Sequence, residues 1–275
     1  MLACTVLIAA TTILRPARAQ SEDQLVALDQ RVVALYGVGK YAEAIPLAER
    51  YAGAVRTRVG ENDPGYVTAL NNLAELLRLA NRLKEAEPLM RRALAINERI
   101  FGSEHPNVAV QLSNLGLILE GQQQHADAEP LLRRALAIYE KTLCGGHQQV
   151  ATTLDALISL LEATGRLADA ELLLRRELAV DEQFLGTEHP RVAMLLSKLG
   201  DLLRRTDRPQ EAEALLRRAL AIDEQALGPR HPKVAIDLTI LGLLLKATGR
   251  FGEAEPLVQR ALAIDENAVS PDQTR

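Results

Sequence analysis

The chain has 275 residues, 48% of them hydrophobic, and a formal net charge of −4. That apolar content is ample for a packed core, while the negative balance disfavours nucleic acid and anionic lipid, which attract clustered positive charge. Two cysteines, Cys4 and Cys144, are too few for a disulfide framework.

Residues 2–14 (LACTVLIAATTIL) are apolar and too short to span a bilayer, and Ala17-Arg18-Ala19 gives the small-x-small pattern that precedes a signal-peptidase cut. Residues 1–19 are predicted to be a signal peptide, and the protein to be exported to a bacterial periplasm or secreted, with no membrane association once the signal is removed. No Lys or Arg precedes the apolar run; if the segment is instead a hydrophobic N-terminal helix, the protein is cytoplasmic. Without Arg15 and Arg18, 30 basic residues face 36 acidic ones, a net charge of −6. Cys144 is then the single cysteine, and with no neighbouring base it reads as an inert loop residue.

From Asp63-Pro64 onward the chain repeats every 42 residues: His105-Pro106, His147-Gln148, His189-Pro190 and His231-Pro232 occupy one column. A fixed period of this size means stacked copies of a supersecondary unit too small to bury its own apolar face. The copies are 21–62, 63–104, 105–146, 147–188, 189–230 and 231–272. Residues 20–62 form a degenerate, polar first copy, with Glu22, Asp23, Gln24, Asp29, Gln30 and Arg31 suited to capping a stack. Residues 63–272 hold five regular copies, and 273–275 are a tail.

Within one copy, Leu195, Leu196, Leu199, Leu202 and Leu203 are spaced by threes and fours, the signature of a helix with a broad buried stripe. Asp207-Arg208 interrupts it, as do Asn81-Arg82, Gly165-Arg166 and Gly249-Arg250 elsewhere, residue types that tolerate a tight reversal. A second helical pattern follows, with Ala212, Leu215, Leu216, Ala219, Leu220 and Ile222 on two adjacent faces, ending at Leu227-Gly228-Pro229. Each copy is therefore a pair of antiparallel helices and a connector, without strands. Pro46, Pro88, Pro130 and Pro256 are expected in the first turn of the second helix or just beyond it, where amides lack intrahelical partners.

A 42-residue period also admits HEAT and armadillo repeats. The motif distinguishes them: Leu-Gly at 115–116, 199–200 and 241–242, Ala at 86, 128, 170, 212 and 254, and Ala again at 93, 135, 219 and 261. Small residues at fixed offsets let two helices approach closely. This pattern, and above all Leu70-Asn71-Asn72-Leu73-Ala74 through Arg92-Ala93-Leu94-Ala95-Ile96, resembles the tetratricopeptide repeat in its 42-residue, kinesin-light-chain-like form. The resemblance implies an all-α fold, a right-handed α-solenoid of six antiparallel helix pairs, and a protein or peptide ligand on the face lined by the first helix of each pair.

Two departures bear on rigidity. Glu177 stands where other copies place the second small Ala, and Gln148 replaces the proline directly after Cys144-Gly145-Gly146. A charge at a helix contact and two unrestrained glycines both loosen packing, so a hinge is expected between the third and fourth copies, with faster hydrogen exchange over 140–180 than over 182–222.

Arg91, Arg133, Arg175 and Arg217 each follow a glutamate by four residues, and are expected to form a solvated ladder of helical ion pairs. The aligned histidines come one per copy, about 10 Å or more apart, whereas zinc ligands lie about 2 Å from one ion; they are read as connector residues, and no metal is expected. No nucleophile elbow, phosphate loop, HExxH or paired CxxC is present, so no catalytic residue and no cofactor is predicted.

The family resemblance implies that the Asn before the recurrent Leu holds extended peptide backbone; that column reads Asn72, Asn114, Ala156, Lys198 and Ile240. Groove candidates are Asn71, Asn72, Arg78, Asn114, Lys198, Arg204 and Lys246, the cations being suited to acidic peptide groups. At the C-terminal end Val258, Ala261, Leu262 and Ile264 belong to a helix that the next copy would cover, and an exposed apolar strip there is expected to associate with a second copy or another chain. Two functions follow: a non-enzymatic scaffold for proteins or peptides, or the regulatory or truncated portion of a larger bacterial enzyme, such as one with a caspase-like domain.

Overall fold

The computed structural model describes residues 9–142 and 148–269, with side chains described over 22–142 and 149–266. Among these residues there are twelve helices and no strand. They pair as α1 (Ala9–Gly37) with α2 (Tyr41–Val59), α3 (Pro64–Leu79) with α4 (Leu83–Phe101), α5 (Pro106–Gly121) with α6 (His125–Thr142), α7 (Gln148–Ala163) with α8 (Leu167–Leu185), α9 (Pro190–Arg205) with α10 (Pro209–Leu227), and α11 (Pro232–Ala247) with α12 (Phe251–Val269). The predicted array of helix pairs is the one found. Residues 9–19 lie in α1, while the start of the predicted signal segment lies outside the described residues.

Two compact bodies, Met1–Thr142 and Leu143–Arg275, divide the chain. The boundary falls beside Cys144-Gly145-Gly146, which with His147 lie outside the described residues, as does the 273–275 tail.

The recurring Asp/His column explains how each first helix starts. Asp63 Oδ1 accepts a hydrogen bond from the Gly65 amide at 2.7 Å, and the Nδ1 atoms of His105, His189 and His231 accept from Asn107, Arg191 and Lys233 at 3.1, 3.2 and 3.2 Å. Proline at the next position forces the cap residue into extended backbone (ψ 138 to 144°) and supplies a first helical residue that needs no amide partner. The histidines are therefore N-caps, and a carboxylate oxygen and an imidazole nitrogen are interchangeable in that role.

The reversal between paired helices uses one left-handed residue at the same repeat position: Gly39, Asn81, Gln123, Gly165, Asp207 and Gly249, with φ between 58 and 77°. Gln123 is the residue type of this set that favours the region least.

The prolines of the second helices sit just beyond the first turn, as expected, but not at a position whose amide lacks a partner. Pro46, Pro88, Pro130 and Pro256 are each the sixth residue of their helix, so each removes a bond that the intrahelical ladder would make. They and the residues four before them (Ala42, Lys84, Ala126, Gly252) are exposed, which lets water take the freed carbonyls.

Close approach within a pair rests on the Leu-Gly column. A Cβ on Gly116 would lie 2.6 Å from Leu132 Cδ2, and one on Gly200 2.6 Å from Leu216 Cγ. The core lies between the helices of a pair and the next first helix; one cluster joins Val192, Ala193 and Leu196 to Ala219 and Ile222, with Leu178 packed against it.

The glutamate–arginine ladder forms as expected, with Arg91–Glu87, Arg133–Glu129, Arg175–Glu171 and Arg217–Glu213 at 2.8 to 2.9 Å. At Arg134 and Arg218 the second arginine of the motif reaches back to the preceding repeat: Arg134 to Glu98 and the Ser103 carbonyl, Arg218 to Glu182 and the Thr187 carbonyl. Exposed pairs of this kind are worth about 0 to 1 kcal/mol each, so burial dominates the stability.

Candidate binding faces

The first helices line one face of each body, and the sequence-predicted groove residues lie along it. In the first body α3 and α5 are tied by Asn114 Nδ2 donating to Asn71 Oδ1 at 2.7 Å, so these amides hold each other. Asn72 is exposed. Arg78 forms a bidentate pair with Glu75, both bonds 2.7 Å.

In the second body the cations are also engaged. Lys198 on α9 pairs with Asp155 on α7, Arg204 binds Asp201 one turn before it at 2.7 Å, and Lys246 is exposed at the end of α11. Charge expected from the sequence to serve acidic peptide groups is, at Arg78, Lys198 and Arg204, balanced within the protein.

An open cavity of about 510 Å³ lies on this face of the second body. Its apolar wall is Ile158 from α7, Met194 from α9, and Ile236 and Ile240 from α11. Ile158 occupies the repeat position that holds Gly116, Gly200 and Gly242 in other copies. Ser197, Lys198 and Asp201 of α9 and Glu162 of α7 supply polar walls, while Asp223 of α10, with Lys233 and Asp237 of α11, completes the lining.

Asp223 and Asp237 are 2% and 3% exposed, and Asp223 Oδ1 and Asp237 Oδ2 have no hydrogen-bond partner. Burial pushes the Asp237 carboxyl up to about 6; the Ser197 hydroxyl opposes the rise and the neighbouring Asp223 adds to it. Burial also raises Asp223, against the pull of Lys233 and His231. Neither aspartate was among the groove residues expected from the sequence.

One repeat earlier, a buried acidic cluster has a cation from within the chain, although Glu177 Oε2 has no hydrogen-bond partner. Glu177 and Asp181 of α8 both accept hydrogen bonds from the guanidinium of Arg191, in the first turn of α9. Their side chains are 3% and 1% exposed and that of Arg191 16%. Burial nevertheless pushes the Glu177 carboxyl up to about 7, with Arg191 opposing it. Glu177 therefore does not loosen this helix contact through an unpaired charge, as its sequence position suggested: its partner is fourteen residues away.

The C-terminal candidates separate into two pairs. Ala261 and Ile264 are 3% and 5% exposed and pack on Val234, Ala235 and Leu238, so they belong to the core of their own pair and not to a surface strip. Val258 and Leu262 are 47% and 58% exposed.

Among the described residues no helix is long and apolar enough to cross a membrane, and no three His, Cys, Asp or Glu side chains converge as metal ligands.

A tetratricopeptide repeat family model matches residues 23–99, 65–141, 149–225 and 193–267. The fold is similar to that of a Podosopora anserina kinesin light chain with nearly identical TPR-like repeats, at 25% identity over 76% of this chain and 99% of that one, with a TM-score of 0.66. BtubC from P. vanneervenii shares the fold at 24% identity, 90% and 96% coverage and a TM-score of 0.68. The apo form of RapI shares it at 15% identity, 96% and 93% coverage and 0.61. No curated protein matches the chain.

Proposed function

Because the chain belongs to the tetratricopeptide repeat family, whose stacked helix pairs present extended faces suited to other chains, we propose that it is a non-enzymatic scaffold that binds proteins or peptides on the faces lined by its first helices. The cavity of the second body carries this reading. It combines four large apolar side chains with convergent polar groups, the composition of a recognition site. The first body's face, where Asn71 and Asn114 bond to each other and Arg78 to Glu75, offers exposed Asn72 as its polar contact. The N-terminal apolar run supports export as the setting, to be checked by sequencing the N-terminus of the native protein. Val258 and Leu262 remain candidates for association with a second chain.

The test compares partners captured from the compartment where the protein resides by wild type, by Ile236→Glu plus Ile240→Glu on the cavity wall, and by Arg217→Glu on the outer ladder. The cavity variant is expected to lose partners that the ladder variant keeps. Identical partner lists for all three would remove the first-helix face from the reading.

A further inference from the structure

We propose that the cavity of the second body is an arginine-reading subsite, in which the side chain of an extended partner peptide enters between α9 and α11 and places its guanidinium on the paired carboxylates of Asp223 and Asp237. The inference rests on the scaffold reading and names the chemistry of its ligand.

Two nearly inaccessible carboxylates, each with an oxygen lacking any hydrogen-bond partner, line an open cavity. Such a pair can be satisfied by a proton held between the carboxyls or by a cation brought from outside. The protein itself displays the second solution. Asp181 and Asp223 occupy the same repeat position, and at Asp181 the guanidinium of Arg191 is donated to both buried acids. The residue equivalent to Arg191 is Lys233. Its side chain stays exposed and forms no ion pair with either aspartate among the described residues. Of the two acid pairs, which share the Asp181/Asp223 position, one is thus served by a guanidinium from within the chain and the other is not.

The rest of the lining fits a long, flat cation. Ile236, 58% exposed, with Ile240 and Met194, offers apolar surface to the methylene stem. A planar guanidinium can serve both carboxylates at once, which a lysine ammonium does less well. Lys198 is held by Asp155, which removes the nearest cation of α9 from competition. The charged groups facing the pair are Lys233 and His231 at the start of α11, with Lys198 and Asp201 on α9 and Glu162 on α7 around the rim. Protonation of the pair at acid pH would remove the attraction.

The experiment titrates the capped pentapeptide acetyl-Ala-Ala-Arg-Ala-Ala-amide into the full chain, with backbone amides followed by NMR at pH 7.5 and 5. The same peptide with norleucine for arginine is the reference. The arginine peptide is expected to bind about 10-fold or more tightly than the norleucine peptide at pH 7.5, the size of one charge-assisted contact. Saturating shifts should centre on Ser197, Ile236 and Asp237, and the preference should shrink at pH 5. Asp223→Asn plus Asp237→Asn should abolish it. Lys233→Arg, which supplies an internal guanidinium as Arg191 does, should weaken it. Equal binding of the two peptides by wild type, shifts centred elsewhere, or retention of the preference in either variant overturns the proposal. Wild-type measurements alone decide the first two points if a variant fails to fold. Equal binding of both peptides at these amides would leave the scaffold reading standing while removing this one.

Discussion

Replacing Gly200 by alanine adds one methyl group where α9 meets α10, and the geometry fixes the cost. The new carbon would lie 2.6 Å from Leu216 Cγ and 2.7 Å from Cδ2, with the Ala212 carbonyl at 3.4 Å. Leu216 is fully buried, so its side chain has no solvent to swing into, and overpacking of this kind costs about 1 to 3 kcal/mol. Alanine recovers about 0.5 to 1 kcal/mol of helix propensity, leaving a net loss of about 0 to 2.5 kcal/mol, the upper part of which applies to a side chain as enclosed as Leu216. Gly242→Ala is the control: its Cβ meets Val258 Cγ2 at 2.8 Å, but Val258 is 47% exposed and can rotate away, so the two terms should nearly cancel. Leu216→Ala alone should cost about 2 to 5 kcal/mol. In the variant carrying both Gly200→Ala and Leu216→Ala, the added methyl partly fills that cavity, so the combined loss should fall short of the sum by more than about 0.5 kcal/mol. The measurement is urea unfolding followed by circular dichroism, with hydrogen exchange of α9 and α10 amides to localise the effect. Gly200→Ala as stable as Gly242→Ala, or additive losses in the cycle, would refute the close-approach account.

The raised Asp237 carboxyl makes stability depend on pH. Its value rises from 3.8 to about 6, so the folded state favours the protonated form. That stabilisation is fully present below about pH 4, is lost as pH rises through 6, and amounts to about 3 kcal/mol. Glu177, raised to about 7, acts in the same direction. Wild type should therefore have a higher urea midpoint at pH 5 than at pH 8, and the stability that Asp237→Asn gains over wild type should be about 1 to 1.5 kcal/mol larger at pH 8 than at pH 5; an equal gap at both would refute it. Arg191→Met leaves Glu177 and Asp181 buried without their cation and should cost about 3 to 5 kcal/mol. Adding Glu177→Ala should restore part of it, and a double variant no more stable than Arg191→Met would show that the ion cluster does not support the fold.

The helix pairs were legible because a period of 42 residues displays each element several times, so that chance departures in one copy are corrected by the others. What the repeats share was therefore readable, and what distinguishes them was not. Glu177 looked like an unpaired charge because its partner Arg191 belongs to the next repeat, at a column that holds Asn107 and Lys233 elsewhere. The prolines were read as costing no hydrogen bond because sequence marks the start of the second helix only to within a few residues. Gln123 carries no sign of its left-handed backbone beyond its alignment with Asn81 and Asp207. Ala261 and Ile264 were expected at a surface because their helix was read as one that a next copy covers, yet these two side chains point to α11. For the cavity a signal did exist. Asp237 shares a column with Ala69, Gln111, Thr153 and Leu195, and a lone charge where the other copies are uncharged calls for a cationic partner, which Glu177 finds within the chain and Asp237, among the described residues, does not.

One structural junction in the array is built in three chemistries. In the first body Asn97, 3% exposed, donates its side-chain amide to the Asn107 carbonyl at 3.3 Å, a neutral closure. At Asp181 the junction is ionic and closed, with Arg191 serving two carboxylates. At Asp223 it is ionic and open, because the second acid comes from α11 and the cation is a lysine that stays in solvent. Since the helix pairs around these junctions are built alike, fold stability does not require the open version: the neutral form carries the same packing without buried acids, and the closed form gives its buried acids an internal cation. A repeat protein that keeps the costlier arrangement in one copy has localised its specificity there. The unfilled junction is then the place where the proposed arginine contact would give this chain a specificity that the repeats' common packing does not supply.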